Sequence, residues 1–179
     1  MNPVVVELFV LRHGKAEVRA VDTDDAERAL TGQGREEIKK IGRGTVTMGY
    51  TFDLIATSPL KRARETAEII GDTSKHDSKI QVWDLLSPAG DLDSLLRQIC
   101  TAGGDGSGSI LVVGHEPQLS ALISRVIAGN GTASILLAKG GFARIKNVTC
   151  HGELTGDLHS LFVPKQLLSG IKYPFHTHI

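Results

Sequence analysis

The sequence predicts an α/β protein, a three-layer α/β/α sandwich around a mostly parallel central sheet. Two observations carry that prediction. Short apolar runs of strand length alternate with longer amphipathic runs, with no internal repeat. The first run, VVVELFVLR at 4–12, is β-branched and apolar on both faces, which suits a central strand covered by helices above and below.

The elements follow in order. LTGQGREEIKKIGRGTVTMG (30–49) spaces Ile38 and Ile41 among charges and offers Thr31 as an N-cap, so a helix starts there. FDLIATSP (52–59) is a second buried strand stopped by Pro59, and LKRARETAEIIGD (60–72) is a helix of good formers ended by Gly71. KIQVWDLLSP (79–88) supplies a third strand, and DLDSLLRQICTAG (91–103) is a helix with Leu92, Leu95, Leu96 and Ile99 on one side. After the Gly-rich turn GGDGSG (103–108) come a fourth strand, SILVVGH (109–115), and the helix EPQLSALISRVIAG (116–129) with Pro117 in its first turn. ASILLAKGGFARIKN (133–147) and GELTGDLHSLFVP (152–164) read as two strands around a turn. The stretch 172–179, with His176 and His178, reads as a loose C-terminal tail instead of a metal site.

Length and charge bound the function. At 179 residues the chain suits one domain, 1–179, with a substantial core. Twenty basic and twenty acidic residues cancel, so no general electrostatic case exists for nucleic acid or an anionic membrane as partner. No stretch approaches the ~18–20 apolar residues of a membrane span, and the N-terminus does not read as a signal peptide. Cys100 and Cys150 form no CxxC pair and are expected to be reduced, buried thiols of a cytoplasmic protein, with a single disulfide as the alternative.

In α/β folds, ligands sit at the carboxyl ends of strands, beside helix N-termini. Three strands end in conspicuous polar residues: Arg12-His13-Gly14 after the first, Ser58-Pro59 with Arg62 just beyond after the second, and Gly114-His115-Glu116 after the fourth. Two guanidinium forks, two imidazoles and free backbone N–H groups match a tetrahedral dianion. GxxxxGK[ST] and GxGxxG are both absent, as is the His/Cys or Asp-rich spacing of a di-metal phosphatase. Neither a metal nor another cofactor is therefore expected. Without a metal to activate water, phosphoryl transfer calls for a side-chain nucleophile, and a neutral imidazole can attack phosphorus in line. His13 and His115 both qualify. KRARE otherwise reads as a solvated helix face, so Lys61 and Arg64 are not singled out.

LRHGKA after the first strand, LTGQG opening the first helix, SPLKRARETA after the second strand and VVGHEP after the fourth resemble the histidine phosphatase superfamily, the phosphoglycerate mutase-like fold. The resemblance runs in order over roughly residues 6–130, and the short chain with its compact DLLSPAGD looks most like the SixA-type phosphohistidine phosphatases. It implies His13 as nucleophile, Arg12 and Arg62 as clamps on the phosphoryl oxygens, and His115 as a donor that stabilises the transition state. Lys15 and Ser58 take supporting roles in substrate binding. It leaves the general acid open: Asp84 is favoured, with Asp91 and Glu116 as alternatives. Neutral His13 and preferably protonated His115 would require surroundings that push the two pKa values apart.

The expected activity is metal-independent hydrolysis through a phosphohistidine intermediate, with phosphohistidine on a protein as substrate. An imidazole leaving group can be protonated from solvent, whereas an alkyl phosphate needs a proton delivered to its oxygen. The short segment between Arg62 and His115 leaves little chain for a lid, which suits a macromolecular substrate. The alternatives are a phosphatase of small phosphorylated metabolites on the same site, and a phosphate-binding module without turnover. A mutase is disfavoured because it needs a closed site that excludes water.

Overall fold

A computed structural model describes residues 4–19, 21, 24–74, 78–106, 108–151 and 153–168. The tail at 172–179, with His176 and His178, lies outside them. The strands are β1 (Val5–Arg12), β2 (Leu54–Thr57), β3 (Lys79–Val82), β4 (Ser109–Gly114), β5 (Phe142–His151) and β6 (Glu153–Phe162). The helices are α1 (Gly32–Thr47), α2 (Lys61–Ser74), α3 (Leu92–Gly104), α4 (Gln118–Ala128) and the short α5 (Pro164–Leu168).

One six-stranded sheet runs in the order β3-β2-β4-β1-β5-β6. β3, β2, β4 and β1 are mutually parallel, and β5 and β6 close one side antiparallel. The period-two alternation of the strands divides the core. Val6, Leu8 and Val10 of β1 join Ile110 and Val112 of β4 on the α3/α4 face. Phe9 and Leu11 join Leu111 and Val113 on the α1/α2 face, where Phe9 packs edge-on against Phe52. β1 and β4 are thus apolar on both sides because helices cover both sides. Edge strand β3 is exposed throughout.

The helix starts follow their caps. Thr31 accepts from the Gly34 N–H at 2.9 Å, and Asp91 accepts from the Ser94 N–H at 2.7 Å. Asp91 is thereby an exposed N-cap of α3. Three expectations need correction. Gly71 does not end α2, which continues to Ser74; a Cβ there would meet Ile80 Cδ1 at 3.1 Å, so the glycine makes room for the edge strand. The strand expected from residue 133 begins only at Phe142. Residues 133–141 cross the end of β1 instead: the Gly140 N–H donates to the Arg12 and His13 carbonyls, with Gly140 at φ +70°.

The third correction concerns the cysteines. Cys100 of α3 and Cys150 of β5 form a disulfide, with Cα atoms 5.6 Å apart. They lie 50 residues apart in sequence and meet only because α3 lies back across the sheet. The expectation of a cytoplasmic location rested on reduced thiols and loses that support. Among the described residues no helix is long and apolar enough to cross a membrane.

Candidate active site

The sheet order builds the site. β4 lies between β2 and β1, with Thr57 opposite Val113 and Arg12 opposite Gly114, so the next residues, Ser58, His115 and His13, emerge side by side. The Ser58 N–H donates to the Val113 carbonyl at 3.0 Å and the His13 N–H to the Gly114 carbonyl at 3.2 Å, which extends the ladders to the active residues. The His13 and His115 rings are 4.9 Å apart, about one strand spacing.

His13 is buried at 6% exposure. Its Nδ1 lies 2.7 Å from the Gly14 carbonyl oxygen, which only accepts, so Nδ1 carries the proton and Nε2 presents its lone pair. The Arg62 Nε–H points at that lone pair from 3.3 Å. Burial, then the charges of Arg62, Arg12 and Lys139, lower the His13 pKa to about 4 against the pull of the Gly14 hydrogen bond. At neutral pH the imidazole is a free base, as a nucleophile must be.

His115 is buried too, with Nε2 2.8 Å from Ser58 Oγ and Nδ1 without a hydrogen-bond partner. Its pKa is lowered to about 3, by burial first and then by His13 and Arg62. The two imidazoles are therefore not pushed apart as expected: both are held low, because both face the same cluster of cations in the same buried row. An arriving phosphoryl dianion supplies the opposite charge, and with it the condition for a protonated His115.

Arg12 Nη1 donates to the Leu137 carbonyl at 2.9 Å, while its buried Nε has no partner. An orphaned, buried guanidinium N–H is suited to an anion. Arg62, 4% exposed, donates through Nη1 to the Asp25 carbonyl at 2.8 Å and through Nη2 to Asp25 Oδ2 at 3.0 Å. Ser58 is fully buried and also accepts from the Leu60 N–H at 3.3 Å. Lys15 is exposed and donates to Gln33 Oε1 at 2.9 Å, which ties it to the start of α1. A Cβ on Gly34 would sit 2.2 Å from the Lys15 carbonyl oxygen, so the second glycine of LTGQG is what lets α1 approach the RHGK turn.

The carboxylates fall differently from the sequence expectation. Asp84 is exposed on the 3-10 turn Asp84–Leu86. Glu116 is half-buried beside His115, with Oε1 unpartnered. The carboxylate that acts on His115 is Asp25, on a 3-10 turn in the β1–α1 connection. Burial raises its pKa, but Arg62 and then Arg28 outweigh that and hold it below the usual carboxylate range. Sequence reasoning missed Asp25 and Lys139. The available signal was the long polar connection between β1 and α1, since long connections in compact domains are commonly functional.

The fold, of the phosphoglycerate mutase-like type, brings His13, His115, Arg12 and Arg62 into one row at the carboxyl ends of a parallel sheet, a cluster suited in charge and donors to a phosphoryl dianion. Comparison with known proteins agrees. The profile of the histidine phosphatase superfamily, branch 1, matches residues 8–89. An uncharacterized protein of Picosynechococcus sp. is 30% identical over 165 residues, covering 91% of this chain and 99% of its own length. Phosphohistidine phosphatase SixA of Escherichia coli is 27% identical over 124 residues, 69% of this chain and 76% of its own. Among solved structures, the protein histidine phosphatase SixA complexed with tungstate superposes with a TM-score of 0.79 at 23% identity, covering 90% of this chain and 99% of that one. A phosphoglycerate mutase from Bacillus anthracis shares the fold with a TM-score of 0.68 at 17% identity, over 93% of this chain and 96% of its own. The chain belongs to the histidine phosphatase superfamily, is similar to SixA, and is a phosphatase.

Proposed function

We propose that the protein hydrolyses phosphohistidine on a partner protein through a phospho-His13 intermediate. His13 Nε2 attacks phosphorus, the phosphorus–nitrogen bond of the substrate breaks, and its electron pair stays on the leaving imidazole, which takes a proton from solvent. Water then attacks phospho-His13, releasing inorganic phosphate and restoring the free imidazole. Arg12 and Arg62 bind the equatorial oxygens, and His115, oriented by Ser58, donates to one of them as negative charge builds.

The observation that carries the choice of substrate is the state of the carboxylates. Asp25, which acts on His115, is held ionised by two arginines, and Asp84 stands exposed on its turn. With Asp91 engaged as the cap of α3, that leaves Glu116, beside His115, as the one other candidate carboxyl, and a site so poor in acids favours a leaving group that solvent can protonate. Phosphoramidates have one; alkyl phosphates do not. The Escherichia coli relative, a phosphohistidine phosphatase, points the same way.

The test is a comparison of kcat/KM, without added metal, on a phosphohistidine protein, an aryl phosphate and a panel of sugar phosphates. Phosphohistidine should lead by orders of magnitude. A sugar phosphate in front would refute the substrate reading and make Asp84 the acid to mutate.

A further inference from the structure

Arg62 has five N–H donors, and their partners are unevenly distributed. Both terminal nitrogens are engaged by one residue, Asp25, through its carbonyl and its carboxylate. Only Nε faces the reacting atom, His13 Nε2. Asp25 is itself held. Arg28 Nε lies 2.8 Å from Asp25 Oδ1, and Asp24 caps the turn by accepting from the Ala26 N–H at 3.0 Å. The stem beneath is closed by the Ala16–Leu30 bridge and by the Glu17 N–H donating to Ala29. Glu65 of α2 accepts from the Leu30 N–H at 2.7 Å, fixing the stem to the helix that carries Arg62.

We infer that Asp25 is the positioning residue of Arg62. By occupying the end-on fork of the guanidinium, it leaves the Nε edge as the face presented to the phosphoryl group. When that group arrives, the Nε–H moves from His13 Nε2 to a phosphoryl oxygen, and the same short displacement frees the lone pair for attack. Without the Asp25 carboxylate, Nη2 is released and the end-on fork, held through Nη1 alone, can turn to the anion. Ground-state binding then persists, or tightens for want of a neighbouring negative charge, while the in-line geometry that turnover needs is lost.

The inference rests on His13 as nucleophile, and its test separates the two. Asp25→Ala and Asp25→Asn are assayed on an aryl phosphate whose good leaving group needs no acid, with inorganic phosphate and vanadate as inhibitors. Expected for Asp25→Ala are a kcat at least tenfold lower, an unchanged or smaller Ki for phosphate, and a Ki for vanadate raised with the kcat loss. Asp25→Asn, which keeps the backbone carbonyl and one side-chain acceptor oxygen, should fall between. Arg28→Ala, which loosens Asp25 without touching Arg62, should show the same split more weakly and serves if Asp25→Ala folds poorly. Side-chain 15N spectra should show resolved Arg62 Nη signals in the wild type and averaged ones in Asp25→Ala. Equal losses in phosphate binding and kcat, an unchanged kcat, or a loss confined to poor leaving groups would each overturn the inference. A wild-type protein with no turnover at all would instead overturn the hydrolytic reading, and the Arg62 spectra would still report on the anchoring.

Discussion

The buried imidazole pair should make both activity and stability respond to acid in an unusual pH range. With a pKa of about 4, His13 is still about 90% neutral at pH 5, where an ordinary imidazole would be only about 3% neutral. After correction for the ionisation of the substrate, kcat/KM should therefore show no loss from His13 protonation between pH 8 and about 5, and the proton that His115 takes up with the dianion should make it rise towards acid. Stability should not stay flat. The unfolded chain takes up protons on these histidines near pH 6.5, whereas the folded chain resists until about pH 4 for His13 and about 3 for His115. The unfolded state thus binds more protons in that window, and stability falls as the pH falls through it. At 1.36 kcal/mol per pH unit, the 2.5-unit depression at His13 corresponds to about 3 kcal/mol and the 3.5-unit depression at His115 to about 5 kcal/mol. Their mutual repulsion is shared, so the joint loss is on the order of 5–8 kcal/mol, against a total of ~5–15 kcal/mol for typical domains. Urea unfolding of the wild type and of His13→Ala/His115→Ala between pH 7.5 and 4.5 captures the upper part of this loss, up to about 5 kcal/mol. The wild type should lose stability more steeply below pH 6.5, and inorganic phosphate should reduce its excess slope by giving His115 a reason to be charged. Parallel stability curves, or an acid limb of activity near pH 6.5, would show that the imidazoles are not held low and refute the reasoning.

Further predictions concern single groups. His13→Ala should remove turnover, by at least ~10³-fold, and leave phosphate or vanadate binding measurable, since Arg12, Arg62 and His115 remain; residual wild-type activity would exclude it as nucleophile. Ser58→Ala strips the partner from His115 Nε2 at a fully buried position and should lower kcat about tenfold, with KM little changed. An unchanged kcat would mean that His115 is oriented by packing alone. Replacing Cys100 and Cys150 together by serine opens a 50-residue loop and should cost about 4 kcal/mol by the loop-entropy relation. That corresponds to a Tm lower by about 10 °C. Equal melting temperatures, with two free thiols titrating in the untreated wild type, would remove the disulfide from the account.

What could be read in the sequence was local or periodic. The doubly apolar run of β1, the Thr31 and Asp91 caps, and the polar residues closing three strands each declare themselves within a few positions. The rest depends on contacts between distant segments. Leu136 and Leu137 belong to a run that reads as strand, but Gly140 is drawn onto the Arg12 and His13 carbonyls and diverts the chain across the pocket. Asp25 lies in an acidic stretch indistinguishable from a solvated loop until α2 brings Arg62 to it. Cys100 and Cys150 show no spacing signal, because their proximity is a property of how α3 returns over the sheet. The pKa values escaped for the same reason: beyond burial, His13 is tuned by Arg62, Arg12 and Lys139, and His115 by His13, Arg62, Asp25 and Arg12, and residue order does not reveal their distances.

Strand order is therefore the step on which the chemistry depends. The motifs RHG, SPLKR and GHEP would be equally visible if β2 lay between β1 and β4, but Ser58 would then separate the two histidines. Placing β4 in the middle puts His115 one strand spacing from His13 and leaves Ser58 on its far side, where it fixes the ring without reaching the nucleophile. The two arginines enter from opposite flanks, Arg12 under the crossing 133–141 segment and Arg62 from α2 beneath the Asp25 turn. In this arrangement His115 stands between Ser58 and His13, and the two guanidinium groups flank the imidazole pair. Burial first, and then the uncompensated cations of the row, keep both imidazoles weakly basic in the resting site, so binding a phosphoryl dianion and protonating His115 would be a single coupled event.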